Sequence, residues 1–339
     1  MAAVAAAGTV MLKAAPAHAG AVEPSPFSDR VIPGPLPSAK SALPSLPRAP
    51  LPGGGSIAVQ VDAAFAGGGA LQRVLNSLAE LPHGPEINRL RVHIADLGSL
   101  YKLCGQGATA CYYPASETMV VSGSPVNQNN GMPQGMVIAH EYGHHIEANR
   151  SLPGWNASNL GGRHWATEER VCEGVGAGAL FPGDEGARYW DNPGEAFAQA
   201  YATMLYPGAV PWWWHFAEPD EGAFAAIRVD VADYSRGTTT KWSRRLAPRS
   251  PRAAMSLTTP VDGPIAVRLR QPVRARFALR LRGPDGRVLK KGRTVKRRGA
   301  PSGPVVTQLT YSSCGNRAVT LEVRRRQGRG MFEARISRP

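Results

Sequence analysis

Two histidines and a glutamate stand at a spacing that suits a metal ion. His140 and His144 are four residues apart in the sequence His-Glu-Tyr-Gly-His, with Glu141 between them. On a helix, residues i and i+4 lie on one face, one turn apart, so both imidazole rings can reach the same ion. Glu141 then lies beside that ion, where its carboxylate can take a proton from a metal-bound water. The alternative is a coincidental histidine pair on a solvated helix.

The residues around this motif predict the helix that must position it. Residues 135–149 are predicted to form a helix, and the apolar run at 136–139 would bury it. A buried helix rarely carries three histidines without a function. His145 points away from the other two and is interpreted as structural. Glu147, one turn beyond His144, either orients a metal ligand from behind or is solvated.

A catalytic zinc ion takes three protein ligands and leaves a fourth position for water. A third histidine following the helix directly would need glycine at position 147 and histidine at position 150, but the chain has Glu147 and Arg150. The third ligand must therefore come from elsewhere in the chain. His164 is one candidate, although a weak one.

Glu195 is the stronger candidate for the third ligand. Asn192 or Asp191 can cap a helix that has Pro193 at its first position, which places Glu195 in the first turn. A carboxylate there can point inward at a metal if the rest of the helix packs in the core. A glutamate in a first turn can also interact favourably with the helix dipole or form part of a capping box, and this alternative stays open.

Together these motifs resemble a known family of metallopeptidases. His-Glu-Tyr-Gly-His followed some fifty residues later by Asn-Pro-Gly-Glu-Ala-Phe-Ala is similar to the gluzincin branch of the zincins, and most similar to the catalytic domain of anthrax lethal factor-like peptidases. The resemblance covers roughly residues 57–206. It implies one zinc ion per chain held by His140, His144 and Glu195, with Glu141 as the base.

The same resemblance implies a tyrosine that hydrogen-bonds the reaction intermediate. Tyr189 is the residue that matches, although its spacing to Glu195 is one residue shorter than in the family. Tyr201 is the rival, and its position in the apolar stripe of the helix favours a core role.

We therefore expect a secreted zinc-dependent endopeptidase that hydrolyses peptide bonds of a peptide or protein substrate. A non-catalytic, exported wall- or polyanion-binding protein with a structural zinc site is the alternative from another class. A zincin-fold amidase acting on cell-wall peptides is a third possibility. Glu141 discriminates between them, because a structural site needs no base and closes its fourth position with a protein ligand.

The chain before the metal helix divides into three parts. Residues 1–19 are predicted to be a signal peptide, with Ala17-His18-Ala19 as the cleavage site, although no Lys or Arg precedes the apolar run. Residues 20–55 are rich in proline and glycine and are interpreted as a spacer or a pro-segment. The catalytic domain is expected over residues 56–240, with order beginning near Ser56. No later apolar run is long enough to span a membrane.

Two further stretches of this domain bear on substrate. Thr118–Ser122 is predicted to be a strand, and if it lies at a sheet edge it could bind extended peptide as an additional strand. An ordinary core strand is the alternative. The tryptophans of residues 211–216 either line a cleft or, as the composition favours, close the catalytic core.

The four cysteines suit an exported protein. Cys104 and Cys111 are close in sequence and are expected to form a disulfide. Cys172 and Cys314 could form a second bridge between two domains, or each could be a buried thiol.

Residues 250–339 read as a small antiparallel β-sandwich, so the fold class of the chain is α+β. Apolar residues alternate with arginine in 266–282, and residues 319–323 and 332–336 are predicted to pair as a hairpin. The closing Gly-x-Phe-x-x-x-Ile resembles the pre-peptidase C-terminal domains of secreted bacterial peptidases.

The positive charge of the chain is concentrated in this second domain. Of 39 Lys and Arg residues, 21 lie from Ser250 onward, with only 4 of the 25 Asp and Glu residues. The arginine faces could bind an anionic surface such as cell-wall polymer, or could simply be solvated. Stacking aromatics are not interleaved with the arginines, which argues against sequence-specific nucleic-acid binding.

Overall fold

The computed structural model describes residues 28–34, 36, 46–127, 131–232, 237–295, 305–315 and 317–339. Within these ranges the chain has an N-terminal part with helices and a mixed sheet, followed by two antiparallel sheets, as the α+β class predicts. The predicted signal peptide and part of the proline-rich stretch (20–27, 35 and 37–45) lie outside the described residues.

The N-terminal sheet has five strands in the order β1-β2-β3-β5-β4. The strands are β1 (Arg48–Pro50), β2 (Ser56–Val61), β3 (Arg91–Ala95), β4 (Ala110–Tyr113) and β5 (Thr118–Ser122). β2, β3 and β5 run parallel, and β1 and β4 are antiparallel to their neighbours. Because β1 pairs with β2, regular structure begins before Ser56, earlier than expected.

Helices pack on this sheet and against one another. They are α1 (Ala70–Glu80), α2 (Leu97–Cys104), α3 (Gln134–Arg150), α4 (Ala157–Leu160), α5 (Arg163–Glu168), α6 (Val171–Gly176), α7 (Pro193–Leu205) and α8 (Glu221–Ala232). Short 3₁₀ turns lie at Ala63–Phe65, Pro85–Arg89, Pro114–Ser116 and Tyr189–Asp191. One apolar core joins the sheet to α1, α3 and α7, so the two helices that carry the predicted metal ligands are fixed against the same core.

Of the two interpretations of Thr118–Ser122, the sheet edge is wrong and the ordinary core strand holds. β5 lies between β3 and β4, and four of its five residues are buried. The edge strands of this sheet are β1 and β4. The N-terminal residues 28–32 run along the outer side of β4, with a parallel bridge between Val31 and Tyr112.

The C-terminal part consists of two antiparallel sheets whose buried faces share one core. One sheet has the order β10-β9-β13-β7 and the other β11-β12-β8-β14-β6. The strands are β6 (Thr238–Leu246), β7 (Arg252–Thr259), β8 (Gly263–Gln271), β9 (Arg276–Arg282), β10 (Val288–Lys291), β11 (Arg293–Val295), β12 (Val305–Ser313), β13 (Arg317–Gln327) and β14 (Gly330–Arg338). In β8, Val267 and Leu269 are buried whereas Arg268 and Arg270 are exposed, as the alternation predicts.

Two details of the sandwich differ from the sequence interpretation. β13 and β14 are consecutive but do not form a hairpin, because β13 pairs with β7 and β9 while β14 pairs with β6 and β8. The turn between them therefore crosses from one sheet to the other. The sandwich also includes β6, so its first strand lies before Ser250.

Both cysteine pairs form disulfides. Cys104–Cys111 closes the end of α2 onto β4, as expected. Cys172–Cys314 joins α6 to the sandwich across a sequence separation of 142 residues. Disulfides are typical of proteins from oxidising compartments, which agrees with an extracellular protein. Among the described helices, none is long and apolar enough to cross a bilayer.

Candidate metal centre

Helix α3 places the histidine pair in the interior of the N-terminal part. Fourteen of its seventeen residues are buried, including both histidines, so the helix is covered on every side. The Nε2 atoms of His140 and His144 lie 3.2 Å apart, as one helical turn on a common face predicts.

Helix α7 brings Glu195 to the same place. The Asn192 side chain caps the helix by accepting a hydrogen bond from the Gly194 amide at 3.2 Å, and Pro193 occupies the first turn. Glu195 is therefore in the first turn and is fully buried.

The two helices cross closely at Gly143, the glycine of the His-Glu-Tyr-Gly-His motif. A Cβ atom at this position would lie 2.7 Å from Ala198 Cα, closer than real side chains approach. A larger residue would push α7 away from α3. The glycine thus permits the approach that carries Glu195 towards the histidines.

A fourth ligand candidate comes from a segment that the sequence interpretation left outside the site. Asp29, His140, His144 and Glu195 each offer a ligand atom, and these four atoms lie within 4.8 Å of one another. All four residues are buried. Such a cluster can hold one metal ion.

The spacing of these atoms fits tetrahedral coordination. At zinc–ligand distances of 2.0–2.1 Å, tetrahedral ligands lie about 3.3–3.4 Å apart. Asp29 Oδ2 is 3.0 Å from His140 Nε2 and 3.2 Å from His144 Nε2. Glu195 Oε2 is 3.4 Å from each of these nitrogens. With the 3.2 Å between the histidines, five of the six edges are within a few tenths of an ångström of the ideal.

Groups behind the histidines fix which nitrogen faces the cluster. His140 Nδ1 is 3.1 Å from Gln199 Oε1, and His144 Nδ1 is 2.9 Å from Glu147 Oε2. With a proton on each Nδ1, these contacts are hydrogen bonds and the Nε2 lone pairs face each other. Two lone pairs at this distance need a cation between them. Glu147 is fully buried, so it takes the orienting position and not the solvated one.

Positive charge is required among these groups even without a metal. Burial would lower the pKa of His140, but the charge and hydrogen bond of Asp29 outweigh it and raise this pKa to about 9. Burial likewise opposes protonation of His144, yet the charge of Glu195 contributes to raising its pKa well above the usual range. The metal-free cluster therefore binds protons where the ligand chemistry would place an ion.

Glu141 projects beside the cluster with an unused carboxylate. The residue is fully buried, and neither of its carboxylate oxygens has a hydrogen-bond partner among the described residues. Burial raises the pKa of Glu141 well above its usual range, and the neighbouring Asp29 charge adds to this effect. A buried carboxylate without a partner is costly for the fold, which indicates a role outside packing.

Tyr189 reaches the cluster from the short turn before α7. Its hydroxyl is 3.0 Å from Glu195 Oε2 and hydrogen-bonds Asp29 Oδ1. Burial raises the pKa of Tyr189, and the Asp29 carboxylate reinforces the shift, so the hydroxyl is a neutral donor. The rival Tyr201 lies in the core, where its hydroxyl donates to the Pro82 carbonyl at 2.7 Å.

The remaining residues considered from sequence lie outside the cluster. His145 is buried between the Tyr112 hydroxyl, 2.8 Å from its Nδ1, and the Glu86 carbonyl, 3.0 Å from its Nε2, in agreement with a structural role. His164 is the second residue of α5 and is not one of the four clustered residues. Trp214 is buried with its ring centroid 6.4 Å from that of His140, so it closes the core beside the cluster.

Sequence reasoning missed Asp29, Gln199 and Glu185. Glu185 accepts from the Val31 amide at 3.4 Å and from Asn192 Nδ2 at 3.2 Å, so it ties the N-terminal segment to the start of α7. Burial, with the Glu195 carboxylate, raises the pKa of Glu185 to about 10. Gln199 could have been found, because it lies one turn after Glu195 on the same helix face. Asp29 could not have been found in this way, because an acidic residue in a proline-rich stretch carries no pattern that points to a metal site.

A comparison with solved structures finds a likeness for the C-terminal sandwich. No protein-family model matches the sequence, and no curated protein matches it. The solved structure of the pre-peptidase C-terminal domain of collagenase from Bacillus anthracis is similar to 30% of this chain, over 89% of that domain. The sequence identity is 12% and the TM-score 0.25, so nothing about function is drawn from the match.

Proposed function

We propose that this chain is an exported zinc peptidase that hydrolyses peptide bonds at the cluster of His140, His144 and Glu195. One observation carries the proposal. The three ligand atoms converge at tetrahedral distances beside Glu141, a buried carboxylate with no other partner among the described residues.

The donor set suits zinc better than the harder divalent cations. Two imidazole nitrogens with carboxylate oxygens in a tetrahedral arrangement are typical of zinc, whereas calcium and magnesium prefer six or more oxygen ligands. Gln199 and Glu147, behind the histidines, would hold the rings in the tautomer that metal binding requires.

The residues beside the ligands provide the acid–base chemistry. Zinc bound at this position would supply Lewis acidity, which activates a water and polarises a carbonyl. Glu141 would take the proton from the attacking water and pass it to the leaving amine. The Tyr189 hydroxyl would donate a hydrogen bond to the oxyanion that develops on the carbonyl.

A structural zinc site remains the competing function, and Asp29 is the observation that favours it. With Asp29 Oδ2 at 3.0–3.2 Å from both histidines, four protein ligands surround the position, as in a closed structural site. Glu141 argues for catalysis, because a structural site has no use for a buried carboxylate that lies beside the metal without a hydrogen-bond partner among the described residues.

The decisive experiment measures zinc content and cleavage of a diverse peptide library. Because Asp29 fills the fourth position, the comparison uses Asp29→Ala, with and without Glu141→Gln. Removing the base is expected to lower cleavage by at least about a hundredfold while leaving one zinc ion per chain. Glu80→Gln, at an exposed position on α1, is the matched control and should change neither quantity. If Asp29→Ala holds zinc and cuts nothing, the chain is not a peptidase.

The exposed face of β6, β8 and β14 is proposed to bind an anionic polymer. Arg335 lies directly opposite Lys241 on one side and Arg268 on the other, and all three are exposed. Like charges directly across a sheet are destabilising, so this row is best explained by a ligand that neutralises it.

This face can be tested with a synthetic polyanion such as dextran sulfate. The double variant Arg268→Glu/Arg335→Glu is expected to weaken binding by about tenfold or more at low salt, since each reversed charge exchanges attraction for repulsion. Arg252→Glu/Arg317→Glu, on the other sheet, changes the net charge equally. Equal weakening by both pairs would mean that overall charge, and not this face, attracts the polymer.

A further inference from the structure

We propose that residues 28–32 form an autoinhibitory segment, in which Asp29 fills the water position of the metal centre and the backbone covers the edge that an extended substrate would use. This inference rests on the proposed peptidase function, because it assigns the regulation of that same site. Autoinhibition explains why four protein ligands surround the metal position while Glu141, the proposed base, lies beside it.

The backbone of the segment occupies the free edge of β4. The Thr109 and Tyr112 amides donate to the carbonyls of Ser28 and Arg30 at 2.6 and 3.0 Å, and the Ile32 amide donates to the Tyr112 carbonyl at 2.9 Å. An exposed sheet edge is where an extended peptide adds as another strand. While the segment is in place, these donors and acceptors are unavailable to a substrate.

The side chain of Asp29 occupies the ligand position that hydrolysis needs to be open. Its carboxylate has no exposed surface, and Oδ2 lies 3.0 and 3.2 Å from the two histidine nitrogens. The other oxygen accepts the hydrogen bond of Tyr189. The segment therefore engages the proposed ligands and the proposed oxyanion donor together, and Glu141 has no water to deprotonate.

Residues 28–36 also make contacts away from the metal cluster. The Val31 amide donates to Glu185 Oε2 at 3.4 Å, and the Leu36 amide to Ser116 Oγ at 3.4 Å. Ile32 and Leu36 pack in a small apolar cluster beside β4 and α2. These contacts add to the backbone hydrogen bonds with β4, and the Asp29 carboxylate is the part of the segment that reaches the metal cluster.

The test asks whether the fourth position opens when Asp29 is changed, without relying on catalysis. Full-length chain is loaded with Co²⁺, and binding of acetohydroxamate is followed by the change in visible absorption. Asp29→Ala is expected to bind acetohydroxamate at least about tenfold more tightly than wild type, because a tethered carboxylate competes at high effective concentration. Asp29→Asn keeps the shape of the side chain and should also bind more tightly. Ser28→Ala leaves Asp29 in place and should behave as wild type.

Two results of the cobalt experiment would overturn the inference. One is equal acetohydroxamate affinity for wild type and both Asp29 variants. The other is loss of Co²⁺ from both variants while they remain folded by circular dichroism, which would make Asp29 a permanent structural ligand. Peptide cleavage separates this inference from the proposed function. Cleavage by wild type at the rate of Asp29→Ala would reject autoinhibition alone, whereas a cobalt centre that opens in Asp29→Ala without any cleavage by its zinc form would reject the peptidase alone.

Discussion

Replacing Glu195 with alanine is expected to weaken zinc binding by about a hundredfold to a thousandfold, because structural zinc sites gain roughly 10–16 kcal/mol from about four ligands and each contributes a comparable share. Glu195 Oε2 lies 3.4 Å from both histidine nitrogens and its side chain is fully buried, so no solvent-exposed group can take its place without rearrangement. Affinity is measured by competition with a chromogenic chelator.

Glu221→Ala provides the matched control for this change. Glu221 is also a glutamate in the first turn of a helix, but its side chain is 86% exposed and its ion-pair contact is with Arg228 at 3.7 Å. Its removal should leave zinc affinity unchanged. If both variants bind zinc as wild type does, Glu195 serves the helix and not the metal.

Zinc affinity is expected to fall by up to about 10⁴-fold between pH 8 and pH 6. In the metal-free chain, burial would lower the pKa of His140, but Asp29 raises it to about 9, and the pKa of His144 is also raised well above its usual value. Zinc binds neutral imidazole, so below these pKa values each histidine must release a proton. Two protons correspond to about a hundredfold in affinity for each pH unit.

Chelator competition at pH 6, 7 and 8 measures this slope, and calorimetry in buffers of different ionisation enthalpy counts the protons released. Asp29→Ala removes the main charge that raises the pKa of His140, so its slope should be shallower at pH 7–8 than that of wild type. A wild-type affinity that does not change between pH 6 and pH 8 would contradict proton release from His140 and His144 on metal binding.

The parts of the site that lie on regular helices could be predicted from sequence. The helical period alone places His140 and His144 on one face, and cap chemistry places Glu195 in the first turn of α7. The fold class followed from the same reasoning, because the helical patterns occur before the second domain and alternation dominates from about Ser250 onward. The spacing of residues along the sequence does not predict the distance between α3 and α7, because that distance depends on the close approach of the two helices at Gly143.

Asp29 escaped prediction for a physical reason. It lies 111 residues before His140, in a stretch whose pairing with β4 comes from backbone hydrogen bonds that carry little sequence pattern. The same limitation explains the two errors in strand placement. Alternation predicts that β13, β14 and β5 are strands, but it does not specify which strands they pair with. Sequential neighbours often pair, and here β13 and β14 do not.

The Cys172–Cys314 bridge has a consequence for how this protein would withstand proteolysis. Any single cut in the 141 residues between these two cysteines leaves the fragments covalently linked, since the bridge closes that whole stretch into a ring. A clipped molecule would keep its charged sandwich fastened to the metal-binding half in an oxidising medium. Only reducing conditions would let the two halves separate, so a nicked population would migrate as intact chain on a gel run without reductant.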